Sequence, residues 1–205
     1  MRAKEAFSRE NIIAVVRAQS LDEGKRQVSS LDAANVEIVE ISLNNEFAED
    51  LIKWSLEHFP KICLGAATIL TLEQAKKVYD WGVNFMASPV AFKEVLDFAK
   101  ESKFFFIPGA HSPTEIAAIQ QNYSFPLIKL FPTPSIAAFQ GIQKVFTNTK
   151  FVLSSFPVNE IKGYIDSGAG HFAIGSYLMD DLDNLKQKVI SLKELLPSQK
   201  ALYPS

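Results

Sequence analysis

The sequence predicts an α/β fold, a single (β/α)8 TIM barrel spanning residues 1–205, and two observations carry that expectation. Short apolar runs alternate about eight times with stretches whose apolar residues recur at helical spacing, which is the order a closed parallel barrel produces. The runs are nearly continuous in hydrophobicity, as strands covered on both faces require. An open doubly wound sheet is the competing arrangement, but it usually carries a glycine-rich turn after its first strand. Here that turn reads Arg17-Ala18-Gln19-Ser20.

In chain order, a polar N-terminal segment over about 1–10 is expected to form a short helix outside or across the barrel. Strands are expected at 12–17, 37–43, 62–66, 85–87, 104–108, 127–131, 151–153 and 171–174. The helices between them carry start signals. Ser20 and Thr71 stand three residues before Glu23 and Gln74, as in a capping box, and Ser112 precedes a proline at the first helical position, with Glu115 following. Residues such as Val95, Leu96, Phe98 and Ala99 give the next helix an apolar stripe to lay on the barrel wall. Phe92, Phe139 and Phe146 are candidates for apolar surface at an interface. The last segment, about 197–205, is expected to be a loose tail.

Composition removes several function classes. With 47% hydrophobic and 21% charged residues and a formal net charge of −2, the chain has no field to attract nucleic acid or anionic lipid, so neither nucleic acid nor a membrane is an expected partner. No apolar run reaches the roughly 20 residues of a spanning helix. The one cysteine, Cys63, excludes an intramolecular disulfide or a cysteine zinc cluster, and its place in an apolar run marks it as a core thiol. With no cleavable signal sequence, a reducing cytoplasm is the expected location. The three histidines, His58, His111 and His171, lack ligand spacing, so no metal or other cofactor is expected.

In a barrel of this kind, chemistry sits at the C-terminal ends of the strands. Five ends supply polar groups: Arg17, Glu40, Thr68, His111 with Ser112, and Lys129. Lys129 interrupts the apolar run Phe125-Pro126-Leu127-Ile128-Lys129-Leu130-Phe131-Pro132, and a lysine buried there needs a partner or a role as a nucleophile. Glu40 similarly breaks an apolar strand. By strand alternation it shares a face with Ile38 and Ser42, so one carboxylate points into the barrel mouth. An amine beside a carboxylate is what imine chemistry uses: the amine attacks a ketone, and the acid shuttles protons. A plain buried salt bridge is the simpler alternative. His111 is expected to be an exposed loop histidine.

In order along the chain, the segments Ile13-Ala14-Val15-Val16-Arg17-Ala18, Val39-Glu40-Ile41-Ser42-Leu43, Leu64-Gly65-Ala66-Ala67-Thr68-Ile69-Leu70, Ala87-Ser88-Pro89, Ile107-Pro108-Gly109, Ile128-Lys129-Leu130-Phe131-Pro132 and Ile174-Gly175-Ser176 resemble the 2-keto-3-deoxy-6-phosphogluconate / 4-hydroxy-2-oxoglutarate aldolases, from about residue 10 to about 195. The resemblance implies a cofactor-free class I aldolase, usually a homotrimer, that splits a 2-keto-3-deoxy acid into pyruvate and an aldehyde. It further implies Lys129 as the Schiff-base lysine and Glu40 as the general acid/base, with Arg17 and Thr68 at the keto acid and Pro89 in the matching Ser-Pro turn. Phe131 would wall the pocket, and Ser154, Ser155, Gly175 and Ser176 would face the distal end of the substrate.

Three departures stand out. Ala67 replaces the second glycine of the family's Gly-Ala-Gly-Thr, and Asn44-Asn45 removes a cationic clamp after the second strand. After the seventh strand, Leu153-Ser154-Ser155-Phe156-Pro157 replaces a Thr-Gly-Gly phosphate cradle. Non-glycine residues do not readily adopt the φ > 0 geometry of such a nest, which argues against phosphate there. A relative that kept the barrel and binds a sugar acid or a protein without cleaving carbon–carbon bonds is therefore the main alternative. A phosphate-binding isomerase lacks a second acid and ranks behind it.

Overall fold

The computed structural model describes residues 2–196; Met1 and residues 197–205, where the loose tail is expected, lie outside the described residues. Its strands are β1 (Ile12–Val16), β2 (Ile38–Ser42), β3 (Cys63–Ala67), β4 (Phe85–Ala87), β5 (Phe106–Ile107), β6 (Gly109–Ala110), β7 (Ile128–Leu130), β8 (Phe151–Ser154) and β9 (His171–Ile174). The helices are α1 (Arg2–Phe7), α2 (Leu21–Ala33), α3 (Ala48–His58), α4 (Leu72–Asp80), α5 (Lys93–Glu101), α6 (Pro113–Asn122), α7 (Ile136–Val145), α8 (Ile161–Asp166), α9 (Ser176–Met179) and α10 (Leu185–Leu195). All strand pairs are parallel, in the order β5-β4-β3-β2-β1-β9-β8-β7-β6.

The two ends of that order, β5 and β6, are consecutive in the chain and separated by Pro108 alone, so the ring closes there. One strand was expected over 104–108; two short ones stand in its place. Proline has no N–H to give to a ladder, which interrupts the strand, while its carbonyl still accepts from the Lys129 N–H at 2.8 Å. Gly109 follows because backbone passes against backbone. A Cβ at that position would lie 2.1 Å from the Pro89 carbonyl carbon.

Strand parity divides the core in two. Inward-facing residues such as Ile13, Ile38, Cys63, Phe85 and Val152 form one cluster inside the barrel, whereas their neighbours Ile12, Val39, Leu64, Met86 and Phe151 join the larger cluster between barrel and helices. Helix α1 closes the N-terminal mouth with its buried face of Ala3, Ala6 and Phe7. The Phe7 ring meets the edge of Phe85 and stacks on Phe105, each at 5.1 Å between centroids, and its carbonyl accepts from His171 Nε2 at 2.9 Å. Phe139 is fully buried against Phe151 and Tyr164, so it belongs to the core and not to an apolar surface; Phe92 is 49% exposed.

The helix starts follow their sequence signals with one variation. Thr71 with Gln74 and Ser112 with Glu115 form complete capping boxes. At Ser20 the hydroxyl accepts from the Glu23 N–H, but the Glu23 carboxylate turns one residue further back, to the N–H of Gln19 at 2.8 Å.

Candidate active site

The parity that puts Ile38 inside the barrel also puts Glu40 and Ser42 there, and places Lys129 inside between the outward-facing Ile128 and Leu130. Their side chains meet. Lys129 Nζ donates to Glu40 Oε1 at 2.7 Å and to Oε2 at 3.0 Å, with the residues 5% and 1% exposed. Glu40 is level with Val15 on one side and Gly65 on the other. Gly65 is required at this level, because a Cβ would fall 2.4 Å from the Phe85 ring, which occupies that space. A proton moving along the 2.7 Å contact exchanges the ion pair for a neutral amine and a carboxylic acid, leaving no net charge in the barrel. The pair is a buried salt bridge that sets an amine directly against a carboxylate, the two groups that imine chemistry would use.

Thr68 lies just past β3 at φ +66, in the left-handed region that a β-branched residue rarely occupies. Its Oγ1 is 3.0 Å from Ser42 Oγ, which ties the strained residue to the face that carries Glu40. Arg17, just past β1, is exposed and lines a cleft of about 400 Å³ together with Ser154, Ser155, Gly175 and Ser176. Ser155 adopts φ +64, so the loop after β8 takes the left-handed turn without a glycine, contrary to the expectation from sequence. Pro157, two residues later, has no N–H to offer. Gly175 directly precedes α9, whose first residue is Ser176. Pro89 and Phe131 do not line this cleft. Pro89 packs on Gly109, and Phe131 sits at the end of β7, its N–H donating to Ala110 O at 3.1 Å.

Two positions outside the sequence-derived set support the site. Thr133 Oγ1 accepts from the Ser154 N–H at 2.8 Å and lies 2.9 Å from Ser154 O, which fixes the end of β8. Ser42 holds Thr68, and its placement on the Glu40 face was the available signal. Thr133 had none, since its role depends on a contact between residues 21 apart.

The other titratable candidates have structural surroundings. His111 is exposed, its Nδ1 3.0 Å from the Pro132 carbonyl. The N–H groups of His111 and Ser112 hold the Glu115 carboxyl below its usual range. His58 Nδ1 lies 2.9 Å from Trp54 O at the end of α3. Burial pushes the Cys63 thiol up to about 12, far from thiolate chemistry at neutral pH. Among the described residues no group of three or more His, Cys, Asp or Glu is placed to hold a metal ion.

The chain resembles known proteins both in sequence and in fold. The family model described as KDPG and KHG aldolase matches residues 3–191. The KHG/KDPG aldolase of Escherichia coli is 27% identical over 143 residues, covering 68% of this chain and 67% of that protein. A probable 2-dehydro-3-deoxy-6-phosphogalactonate aldolase of Rhizobium meliloti is 27% identical over 172 residues, covering 82% and 81%. In fold, the chain is similar to KDPG aldolase from Legionella pneumophila, whose structure holds pyruvate captured at low pH as a covalent carbinolamine intermediate. The TM-score is 0.78 at 24% identity, over 93% of this chain and 94% of that one.

Proposed function

Because the chain belongs to the KDPG and KHG aldolase family, we propose that it is a class I aldolase that uses Lys129 as its Schiff-base amine and Glu40 as its acid/base. The observation that carries this reading is the buried contact of 2.7 Å between them at the mouth of the barrel. Lys129 Nζ, after passing a proton to Glu40, attacks C2 of a 2-keto-3-deoxy acid. The carbinolamine then takes a proton back and loses water to give the imine. Removal of the C4 hydroxyl proton breaks the C3–C4 bond, releasing an aldehyde and leaving an enamine. Protonation of the enamine at C3 and hydrolysis release pyruvate and regenerate the amine.

Thr68 and Arg17 orient the keto acid, and Pro89 and Phe131 wall its pyruvyl end. Ser154, Ser155, Gly175 and Ser176 receive the distal end, a carboxylate in 4-hydroxy-2-oxoglutarate or a phosphate in a phosphorylated sugar acid. The positive φ at Ser155 supports an anion there. The chain acts as one barrel domain in the cytoplasm and as a homotrimer, a state that light scattering on the purified protein reads directly. No described helix is long and apolar enough to cross a membrane.

The test is retro-aldol turnover with 4-hydroxy-2-oxoglutarate and 2-keto-3-deoxy-6-phosphogluconate, following pyruvate release. Activity on at least one, abolished in Lys129→Ala with the fold intact, is the expected result. Ligand binding without cleavage in the intact protein would instead favour a barrel that has lost the reaction.

A further inference from the structure

A second cavity lies at the opposite end of the barrel, beside α1 and the entrances of β4, β5 and β7, with a volume of about 580 Å³. Its wall carries Arg2, Lys4, Lys100 and Lys103 and no carboxylate. None of the four lies within 4 Å of an acidic group among the described residues, unlike Lys53, Lys77, Lys93 and Lys162, each paired with an acid one helical turn away; Arg2 donates to the Pro60 carbonyl and Lys100 to the Asn122 carbonyl at 3.1 Å, neutral partners that leave both charges uncompensated. Asp97, which accepts from the Tyr123 hydroxyl at 2.8 Å and feels the Lys100 charge, lies outside the lining, so the wall itself keeps an excess of positive charge that attracts anions. The floor is aromatic: Tyr123 and Phe125 stack at 5.5 Å between centroids, and Lys100 Nζ stands 5.4 Å above the Tyr123 ring.

Lys103 adds an independent observation. Among the described residues, four helices end with a residue in the left-handed conformation immediately after the cap, at Asn35, Gly82, Lys103 and Gly168. Asparagine and glycine suit that position, whereas lysine is strained there. Of these four residues, Lys103 is the one that lines the cavity.

We propose that this cavity binds a small phosphate ester, its phosphoryl oxygens held by Arg2, Lys4, Lys100 and Lys103 and its apolar body lying on Tyr123 and Phe125. The site is separate from the Lys129–Glu40 centre and does not depend on the aldolase reading.

The test is calorimetric titration of the full chain, at low ionic strength, with phenyl phosphate and with inorganic phosphate. Arg17→Gln serves as the control for anion binding at the barrel's other mouth. Saturable binding of phenyl phosphate, about 5-fold or more tighter than inorganic phosphate, is expected in both the unaltered and R17Q proteins. It should weaken at least about 10-fold in Lys100→Gln/Lys103→Gln, while borohydride trapping of pyruvate is unchanged. Lys103→Gly should weaken binding yet raise the melting temperature by about 2–4 °C, a combination that lost structure would not give. Failure of phenyl phosphate to bind, equal affinity for the two probes, loss of binding in R17Q alone, or full affinity in K100Q/K103Q would overturn the proposal.

Discussion

Lys129 and Glu40 stand 89 residues apart in the chain, yet the lysine amine contacts both oxygens of the glutamate, at 2.7 and 3.0 Å. Neither strand interior has another charged side chain, so each group is the other's neutraliser. Removing one partner is therefore expected to affect both stability and chemistry. Lys129→Met should lower stability by about 3–5 kcal/mol through the orphaned buried carboxylate and cut turnover by about 10³-fold or more. Urea unfolding and pyruvate release measure the two effects. A variant as active as the parent would leave Lys129 a structural residue.

Glu40→Gln separates the acid/base role from charge balance. The amide still accepts a hydrogen bond from Lys129 but cannot take its proton, so turnover is expected to fall by about 10²–10⁴-fold. Stopped-flow imine formation should slow along with it. Unaltered rates in this variant would assign the proton transfers elsewhere.

Thr68 tests whether backbone strain serves the site. Thr68→Gly should relieve the φ of +66 and raise stability by about 1 kcal/mol, less the lost contact with Ser42. Pyruvate affinity should nevertheless decline. A gain in both would show that the threonine is not retained for its hydroxyl.

His171 sets an acid limit on stability. Burial lowers its pKa to about 4, and Lys150 disfavours the charged ring further, although the Phe7 carbonyl opposes the shift. The unfolded histidine takes its proton near 6.5 and the folded one only near 4, so the unfolded state binds more protons between these values. Stability is thus intact above pH 6.5 and falls as pH drops through that window, by about 3 kcal/mol in all. Melting temperatures from pH 7 to 4.5 should show this loss, and His171→Gln should flatten it. An unchanged slope in the variant would assign the acid sensitivity to other groups.

Gly109→Ala probes barrel closure. The added Cβ would overlap the Pro89 carbonyl group, which is backbone and cannot rotate away, so a loss of about 3 kcal/mol or more is expected from thermal or denaturant unfolding. A variant of parental stability would mean that the closing seam yields easily.

Much of this was legible in the sequence because it depends on local pattern. Apolar runs located the strands, and the alternation of Ile38, Glu40 and Ser42 was sufficient to aim the carboxylate inward. The seam at Pro108 was missed because one apolar run covers two strands that pair with different neighbours, β5 with β4 and β6 with β7. Thr133 was missed because its contact is with the end of the neighbouring strand, 21 residues further along the chain. The left-handed turn at Ser155 ran against local preference, since a non-glycine residue there carries a strain that the sequence pattern does not announce.

The most direct measurement is reduction of the protein with borohydride in the presence of pyruvate, followed by intact mass and peptide mapping. A single pyruvyl adduct on Lys129, absent in Lys129→Ala, is the predicted result. A folded sample that gives no adduct, or one that carries it on another lysine, would contradict the assignment of Lys129 as the reacting amine.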